Sequence, residues 1–144
     1  MRVLLTENEQ ELRSMLAEVL IEADYEVVEA ASGDAAALLL DCPNGFDVLV
    51  TDIHMPGRLN GLDVGRRFRA RYARSPILYM TGRPDAMRGV RLHLDREAVL
   101  FKPHGLLALV ATVQAMVVKS IQDCGASRDL VTRTRPLAPT AGLA

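Results

Sequence analysis

The sequence predicts an α/β fold, a doubly wound five-stranded parallel sheet with five helices. Short apolar runs alternate five times with longer segments of helical periodicity. The short runs are apolar nearly throughout, which is typical of parallel strands buried on both faces. Repeated strand-then-helix order implies crossover connections, which place helices on both sides of one sheet. The chain has 144 residues, of which 49% are apolar, so we expect one compact domain with a substantial core.

The individual elements are predicted from periodicity and from helix-capping residues. Strands are expected in five short runs: 3–5, 27–28, 48–50, 77–80 and 99–101. Helices are expected in the five longer segments: 12–23, 33–41, 61–73, 84–94 and 105–122. Asn8 and Ser32 suit the N-caps of the first two helices, and Pro84 suits the first turn of the fourth. The predicted domain covers residues 1–123. Residues 124–144 carry no sustained period, which favours a flexible C-terminal tail over a segment that folds against a partner.

Composition and charge narrow the class of protein. There are 17 basic and 18 acidic side chains, for a formal net charge of −1. This balance gives no electrostatic reason to expect nucleic acid or an anionic membrane as a partner. The most apolar segment, residues 106–118, is shorter than a bilayer span, and the N-terminus does not resemble a signal peptide. We therefore expect a soluble, cytoplasmic protein.

Polar side chains follow four of the predicted strands. Glu7 and Asn8 follow the first strand, Asp52 ends the third, Thr81 ends the fourth and Lys102 ends the fifth. Because the carboxyl ends of parallel strands meet at one edge, these side chains should share a pocket. Clustered carboxylates repel each other unless a cation is present, and hard oxygen ligands suit Mg²⁺. An Asp beside such a cation can attack phosphorus while a Lys and a Thr hold the phosphoryl oxygens, which predicts phosphoryl transfer.

Four motifs carry a resemblance to a known family: RVLLTENE, FDVLVTDIHMPG, ILYMTG and VLFKPHGLLALV. In order and spacing they resemble the motifs of the response-regulator receiver domain of two-component signalling, over about residues 2–122. Each motif alone is weak or moderate evidence, whereas all four in order at predicted strand ends are specific. The resemblance implies a single-domain response regulator with the flavodoxin-like receiver fold.

The resemblance also implies a role for each residue that reacts with phosphate. Asp52 matches the phospho-acceptor. Thr81 matches the residue whose hydroxyl meets the phosphoryl oxygens, and Lys102 matches the residue that pairs with phosphate. Pro103 matches the proline that follows this lysine, commonly in a cis bond.

The implied cofactor is Mg²⁺. Glu7 and Asn8 match the two acidic positions that hold the metal, with Asp52 and the backbone carbonyl of His54 as further ligands. Asn8 departs from the family, which normally has a second Asp there, so weak Mg²⁺ binding is expected. The competing interpretation is that Asn8 only caps the first helix.

The sequence departs from the family pattern at two further places, one in the fifth strand and one in the loop after Asp52. Val99 stands where relatives usually carry a Tyr or Phe that swings inward on activation. The loop MPGRLNG is one residue longer than the commoner MPGxxG. Val99 puts in doubt how phosphorylation would be relayed through the domain.

The implied function is a phosphorylation-driven switch and not an enzyme. A histidine kinase or phosphotransfer protein would donate the phosphoryl group, and a downstream protein partner would read the result. The alternative is a pseudo-receiver binding module with weak or lost phosphorylation, which Asn8 and Val99 favour. A hydrolase would need a cap domain and a transcription factor a helix-turn-helix segment, and the sequence shows neither. Apolar residues surround more of the last helix than one core-facing stripe needs. Two interpretations are open: an unusually wide core stripe, or a surface for a partner or a homodimer.

Overall fold

The computed structural model describes residues 1–43, 45–93 and 95–134, with side chains as far as residue 123. Its five strands are β1 (Arg2–Thr6), β2 (Glu26–Ala30), β3 (Val48–Asp52), β4 (Ile77–Thr81) and β5 (Glu97–Phe101). Its four α-helices are α1 (Gln10–Glu22), α2 (Gly33–Leu40), α3 (Gly61–Arg71) and α4 (Leu106–Thr134). Every predicted strand is confirmed, with bounds one to three residues wider than the apolar run.

The strands form one parallel sheet in the order β2-β1-β3-β4-β5. This is the flavodoxin-like order. Strand β2 is added on one side of β1 and the later strands on the other, so the strand order reverses between β1 and β3. The predicted doubly wound fold is therefore confirmed. All residues of β3 and β4 are buried, because helices cover both faces of the central strands.

Two separate cores lie on the two faces of the sheet. On one face α1 and α4 pack against the strands through Leu16, Leu20, Leu109, Val113 and Val117. On the other face α2 and α3 pack through Ala36, Leu40, Val64 and Phe68. Alternate strand residues point to opposite cores, as the period of two along a strand requires.

Helix starts follow the predicted caps in one case and not in another. The Ser32 hydroxyl accepts a hydrogen bond from the Ala35 amide at 3.0 Å, so its predicted role as an N-cap is confirmed. The cap predicted at Asn8 is wrong. Helix α1 has Glu9 as its N-cap residue, and the Glu9 amide donates to a Glu7 carboxylate oxygen at 3.0 Å. The Glu7 side chain, and not that of Asn8, therefore accepts a backbone hydrogen bond at the start of α1.

The helix predicted over residues 84–94 is wrong within the part of that segment that the structure describes. Only Pro84–Met87 forms a single turn of 3-10 helix, with Pro84 in its first turn. Gly89 then has a φ of 77°, a left-handed conformation that ends a right-handed helix.

Helix α4 continues further than predicted, to Thr134. The boundary at residue 123 and the flexible tail stay predictions, and residues 135–144 lie outside the described part of the chain. Within the described residues, Leu106–Asp123 is long and apolar enough to cross a membrane by length and composition, which corrects the length argument made from residues 106–118. A core helix of a soluble domain meets the same criterion, and one face of α4 is such a core face.

Candidate functional site

The carboxyl edge of the sheet brings together the charged residues that were predicted to meet there. Glu7 follows β1, Asp52 ends β3 and Lys102 follows β5. The Glu7 and Asp52 side chains are almost completely buried, with 1% and 6% of their surface exposed. The Lys102 ammonium lies 3.1 Å from a Glu7 oxygen and 3.5 Å from an Asp52 oxygen. One cation thus bridges two buried carboxylates from strands β1 and β3.

The surroundings of Asp52 shift the pKa of its carboxyl in both directions. Burial raises the pKa of the Asp52 carboxyl above its ordinary value, and the neighbouring Glu7 charge raises it further. Lys102 opposes both effects, because an ammonium beside the carboxylate favours the ionised form. The anionic form needed for attack on phosphorus therefore depends on Lys102, or on another cation at the same edge.

Glu7 is fixed by contacts that the sequence did not reveal. One of its carboxylate oxygens accepts the Glu9 amide and the other accepts Lys102. On α1, the Arg13 guanidinium donates to the Glu7 backbone carbonyl at 2.9 Å and to Glu29 at 3.2 Å. Arg13 is a positioning residue that sequence reasoning missed, since its only signal is a basic residue in the first turn of a helix.

Thr81 lies at the end of β4 and is completely buried. Its hydroxyl accepts a hydrogen bond from the Arg83 amide at 3.0 Å and donates to the Arg83 carbonyl at 3.2 Å. The side chain is thus held in the turn after β4, with no hydrogen bond to Asp52. Reaching a phosphoryl oxygen would require the hydroxyl to exchange one of these two bonds.

Helix α3 begins directly against Asp52. A Cβ on Gly61 would overlap the backbone carbonyl of Asp52, so only glycine allows this approach. The Gly61 amide donates to the Ile53 carbonyl at 2.9 Å, and Asn60 with Asp63 forms a capping box at the helix start. These contacts fix the backbone that follows the acceptor residue.

The longer loop between β3 and α3 is held by α2. The Asp34 carboxylate accepts the Leu59 amide at 3.2 Å and the Arg58 amide at 3.4 Å. Asp34 is a second residue that the sequence did not identify. This anchor holds the loop against the start of α2.

The remaining predicted site residues lie at the rim. Asn8 and His54 are exposed, and the Asn8 side chain makes no hydrogen bond to the described residues. The peptide bond between Lys102 and Pro103 is cis, as the resemblance implied.

Val99 is partly buried and pairs in register with Tyr79 of β4, so the aromatic ring at this level of the sheet belongs to β4 and not to β5.

The oxygen donors at this edge fit a hard divalent cation. Glu7 and Asp52 place two buried carboxylates there, and the resemblance implies Asn8 and the backbone carbonyl of His54 as further ligands. Mg²⁺ in proteins commonly binds one or two carboxylates and keeps several waters. Within the described residues, no group of three or more His, Cys, Asp or Glu side chains is arranged to hold a metal.

Comparisons with known proteins agree with the fold. The family model of the response regulator receiver domain matches residues 3–114. The transcriptional regulatory protein CpxR of Escherichia coli (strain K12) is 32% identical over 120 residues, which cover 83% of this chain and 50% of that protein. The chain thus spans about half the length of the curated relatives that it matches.

Two solved structures illustrate the likeness. A response regulator receiver protein from Sinorhizobium medicae superposes with a TM-score of 0.78 at 23% identity, over 83% of this chain and 96% of that chain; this likeness concerns the fold alone. The response regulator TrrA from Thermotoga maritima, solved in complex with Mg²⁺ and BeF, has a TM-score of 0.68 at 26% identity, over 80% of this chain and 97% of that chain. The chain belongs to the response regulator receiver domain family of two-component signalling.

Proposed function

We propose that this protein is a phosphorylation-driven switch in which Asp52 accepts a phosphoryl group from a histidine kinase or phosphotransfer protein. The observation that carries the proposal is the Lys102 ammonium between Glu7 and Asp52, at 3.1 Å and 3.5 Å. A cation in this position keeps a buried carboxylate ionised and is ready to pair with incoming phosphate. The protein would be a cytoplasmic regulator whose only chemistry is on itself.

In the transfer step, a carboxylate oxygen of Asp52 attacks the phosphorus of a phosphohistidine. The new O–P bond makes an acyl phosphate while the P–N bond breaks, and the donor imidazole leaves with the electron pair of that bond. Lys102 pairs with one phosphoryl oxygen, and Thr81 donates its hydroxyl to another. Gly61 and the capping box of α3 keep the Asp52 backbone in place during the step.

Glu7, Asp52, Asn8 and the carbonyl of His54 would hold Mg²⁺. The metal, when bound, would neutralise charge on the phosphoryl oxygens, which is the main requirement of phosphoryl transfer. Asn8 lacks the charge of a carboxylate, so we propose weak Mg²⁺ binding. His54 is exposed beside the acceptor, where it would affect the access of water to the acyl phosphate.

A pseudo-receiver that binds a partner without regulated phosphorylation is the second candidate. Two observations favour it: the exposed Asn8 adds no charge to the metal site, and the Thr81 hydroxyl is occupied by Arg83. The buried acceptor and the reach of Lys102 favour the switch.

The two candidates differ in Mg²⁺-dependent phosphorylation. Incubation with acetyl phosphate and Mg²⁺, followed by intact mass measurement, should show one added phosphoryl unit, and EDTA should abolish the gain. A chain that gains no mass at saturating Mg²⁺ would be a pseudo-receiver.

We also propose that the outer face of α4 mediates self-association or contact with a downstream partner. Leu107, Val118 and Ile121 are 85%, 52% and 54% exposed. At 100° per residue these three side chains lie within about a sixth of a turn of one another, on a different face from the buried Leu109 and Val113. Exposed apolar stripes of this kind commonly mark interfaces.

Self-association is tested by light scattering over a concentration series, with and without phosphorylation. A Leu107→Glu variant should remain monomeric where the parent associates, because the charge would be buried at the contact. Val117 is unsuitable for this test because it is 7% exposed and packs in the core. A parent that stays monomeric at every concentration, phosphorylated or not, would contradict the dimer.

A further inference from the structure

A second cavity lies apart from the phosphorylation site. It has a volume of about 420 Å³ and opens between α3, β4 and the irregular segment after Met87. Neither Glu7, Asp52 nor Lys102 lines it. Its apolar walls are Leu62, Val90 and Leu92. The volume falls in the range of about 300 to 1,000 Å³ that is common for small-molecule sites. We refer to this space as the Tyr79 cavity.

A tyrosine hydroxyl faces this cavity without a hydrogen-bond partner among the described residues. Tyr79 lines the cavity and is only 5% exposed. Its hydroxyl lies against Gly65, where a Cβ would overlap it, and makes no hydrogen bond to any residue that the structure describes. Burial raises the pKa of Tyr79 to about 12, so the hydroxyl keeps its proton at physiological pH. The hydroxyl is therefore a donor at the cavity wall that a ligand oxygen could accept from.

Among the described residues, Glu97 is the only carboxylate in the cavity wall, and it is already neutralised. Glu97 accepts two hydrogen bonds from Arg69, at 3.0 and 2.9 Å, and one from the His93 amide at 3.2 Å. Arg69 also donates to three carbonyls at the end of α3. Both side chains are therefore structural. The cavity has no remaining acidic group to repel an anion.

Arg91 supplies the cavity with a cationic donor. Arg91 lines it and is exposed, and its guanidinium makes no ion pair or hydrogen bond to the described residues. The surrounding sequence is strongly basic despite the near-neutral chain: residues 66–96 contain nine arginines and two acidic residues, Asp85 and Asp95. Such an excess of positive charge raises the local concentration of anions.

We propose that the Tyr79 cavity binds a small organic anion. Its apolar body would lie against Leu62, Val90 and Leu92, and its carboxylate or phosphate would accept hydrogen bonds from the Tyr79 hydroxyl and the Arg91 guanidinium. The site is independent of phosphorylation, because it shares no residue with the carboxyl edge of the sheet.

The fluorescent sulfonate 8-anilinonaphthalene-1-sulfonate is a suitable probe, because it joins an apolar body to an anion. We expect saturable binding to the full chain without Mg²⁺ or a phosphodonor. An Arg91→Glu variant should weaken binding at least about tenfold, as loss of a charged hydrogen bond implies. Tyr79→Phe removes only the hydroxyl and should weaken binding about threefold or more. Phenyl phosphate and benzoate as competitors distinguish a phosphate head from a carboxylate head.

Two controls decide whether the cavity is the site. Arg67→Glu makes the same charge change on α3, outside the cavity wall, and should leave binding within about twofold. Leu107→Gln removes the most exposed apolar side chain of α4 and should have no effect. The proposal is overturned if no saturable binding occurs, if Arg67→Glu and Arg91→Glu weaken it equally, or if Leu107→Gln abolishes it. Stronger competition by a single-stranded DNA 20-mer than by either small anion would assign a nucleic-acid surface instead.

Discussion

Lys102 stabilises two carboxylates that would otherwise be buried without a cation. Glu7 and Asp52 cannot exchange their contact with Lys102 for water, because both are buried. Removing one partner of a buried charge pair usually costs more than the pair contributes, since the remaining charge keeps its desolvation penalty. The carboxyl edge is therefore a site where one residue affects both stability and chemistry.

A Lys102→Met variant should lose stability in a pH-dependent way. Burial already raises the pKa of Asp52, and loss of the ammonium raises it further. A carboxyl whose folded pKa is raised contributes stability below its unfolded pKa and loses it as pH rises through the folded value. We expect a loss of about 2 kcal/mol at pH 7, below the 3 to 5 kcal/mol of fully buried pairs, and much less at pH 4.

Urea unfolding at the two pH values measures this difference. Lys119→Met is the matched control, because its pair with Asp95 is exposed and should contribute less than about 1 kcal/mol. Equal losses for Lys102→Met at pH 7 and pH 4 would show that Lys102 acts through packing and not through charge.

The structure excludes the interpretation that Asn8 only caps the first helix. It is not the N-cap of α1, and it is exposed next to the buried Glu7. Restoring the carboxylate by Asn8→Asp should tighten Mg²⁺ binding about tenfold, which corresponds to about 1.4 kcal/mol. The same change should lower stability without metal, because it adds negative charge beside Glu7 and Asp52.

Calorimetric Mg²⁺ titration and melting curves with and without metal check both parts of this prediction. Gln10→Glu makes the same charge change two residues further along the chain and serves as the control. Unchanged Mg²⁺ affinity in Asn8→Asp, or an equal gain in Gln10→Glu, would remove Asn8 from the metal site.

Among the elements, the segment after β4 separates what the sequence can predict from what it cannot. The strands were predictable because residues 48–50 and 77–80, at the centre of the sheet, are apolar without interruption. Glu7, Asp52, Thr81 and Lys102 were predictable as strand-end residues for the same reason. The helix over 84–94 was not, because its end depends on the backbone conformation of Gly89. Arg13 and Asp34 were missed because each acts on backbone atoms of a distant segment, which leaves no local pattern.

Gly89→Ala gives opposite results for a helix and for the observed turn. Within a regular helix, alanine in place of glycine would stabilise the protein by about 1 kcal/mol. At a φ of 77° alanine should instead destabilise it by about 1 to 2 kcal/mol. Melting and urea curves of Gly89→Ala and of the control Gly105→Ala decide the sign. A more stable Gly89→Ala variant would support the helix that the sequence predicted.

At the scale of the whole molecule, the fold places the three proposed sites on different surfaces. The carboxyl edge carries Asp52, the proposed acceptor, and the outer face of α4 carries exposed apolar residues. The side of the sheet covered by α3 carries the Tyr79 cavity and the basic region around it. The net charge of −1 conceals this separation, so composition alone could not reveal the basic region.

The most direct test of this account is the location of the phosphoryl group. Parent, Asp52→Asn and the control Asp41→Asn, which changes an exposed residue, are incubated with acetyl phosphate and Mg²⁺, and their intact masses are compared. We expect one phosphoryl unit on the parent and on Asp41→Asn, and none on Asp52→Asn. A phosphoryl unit gained by Asp52→Asn would contradict the assignment of Asp52 as the acceptor.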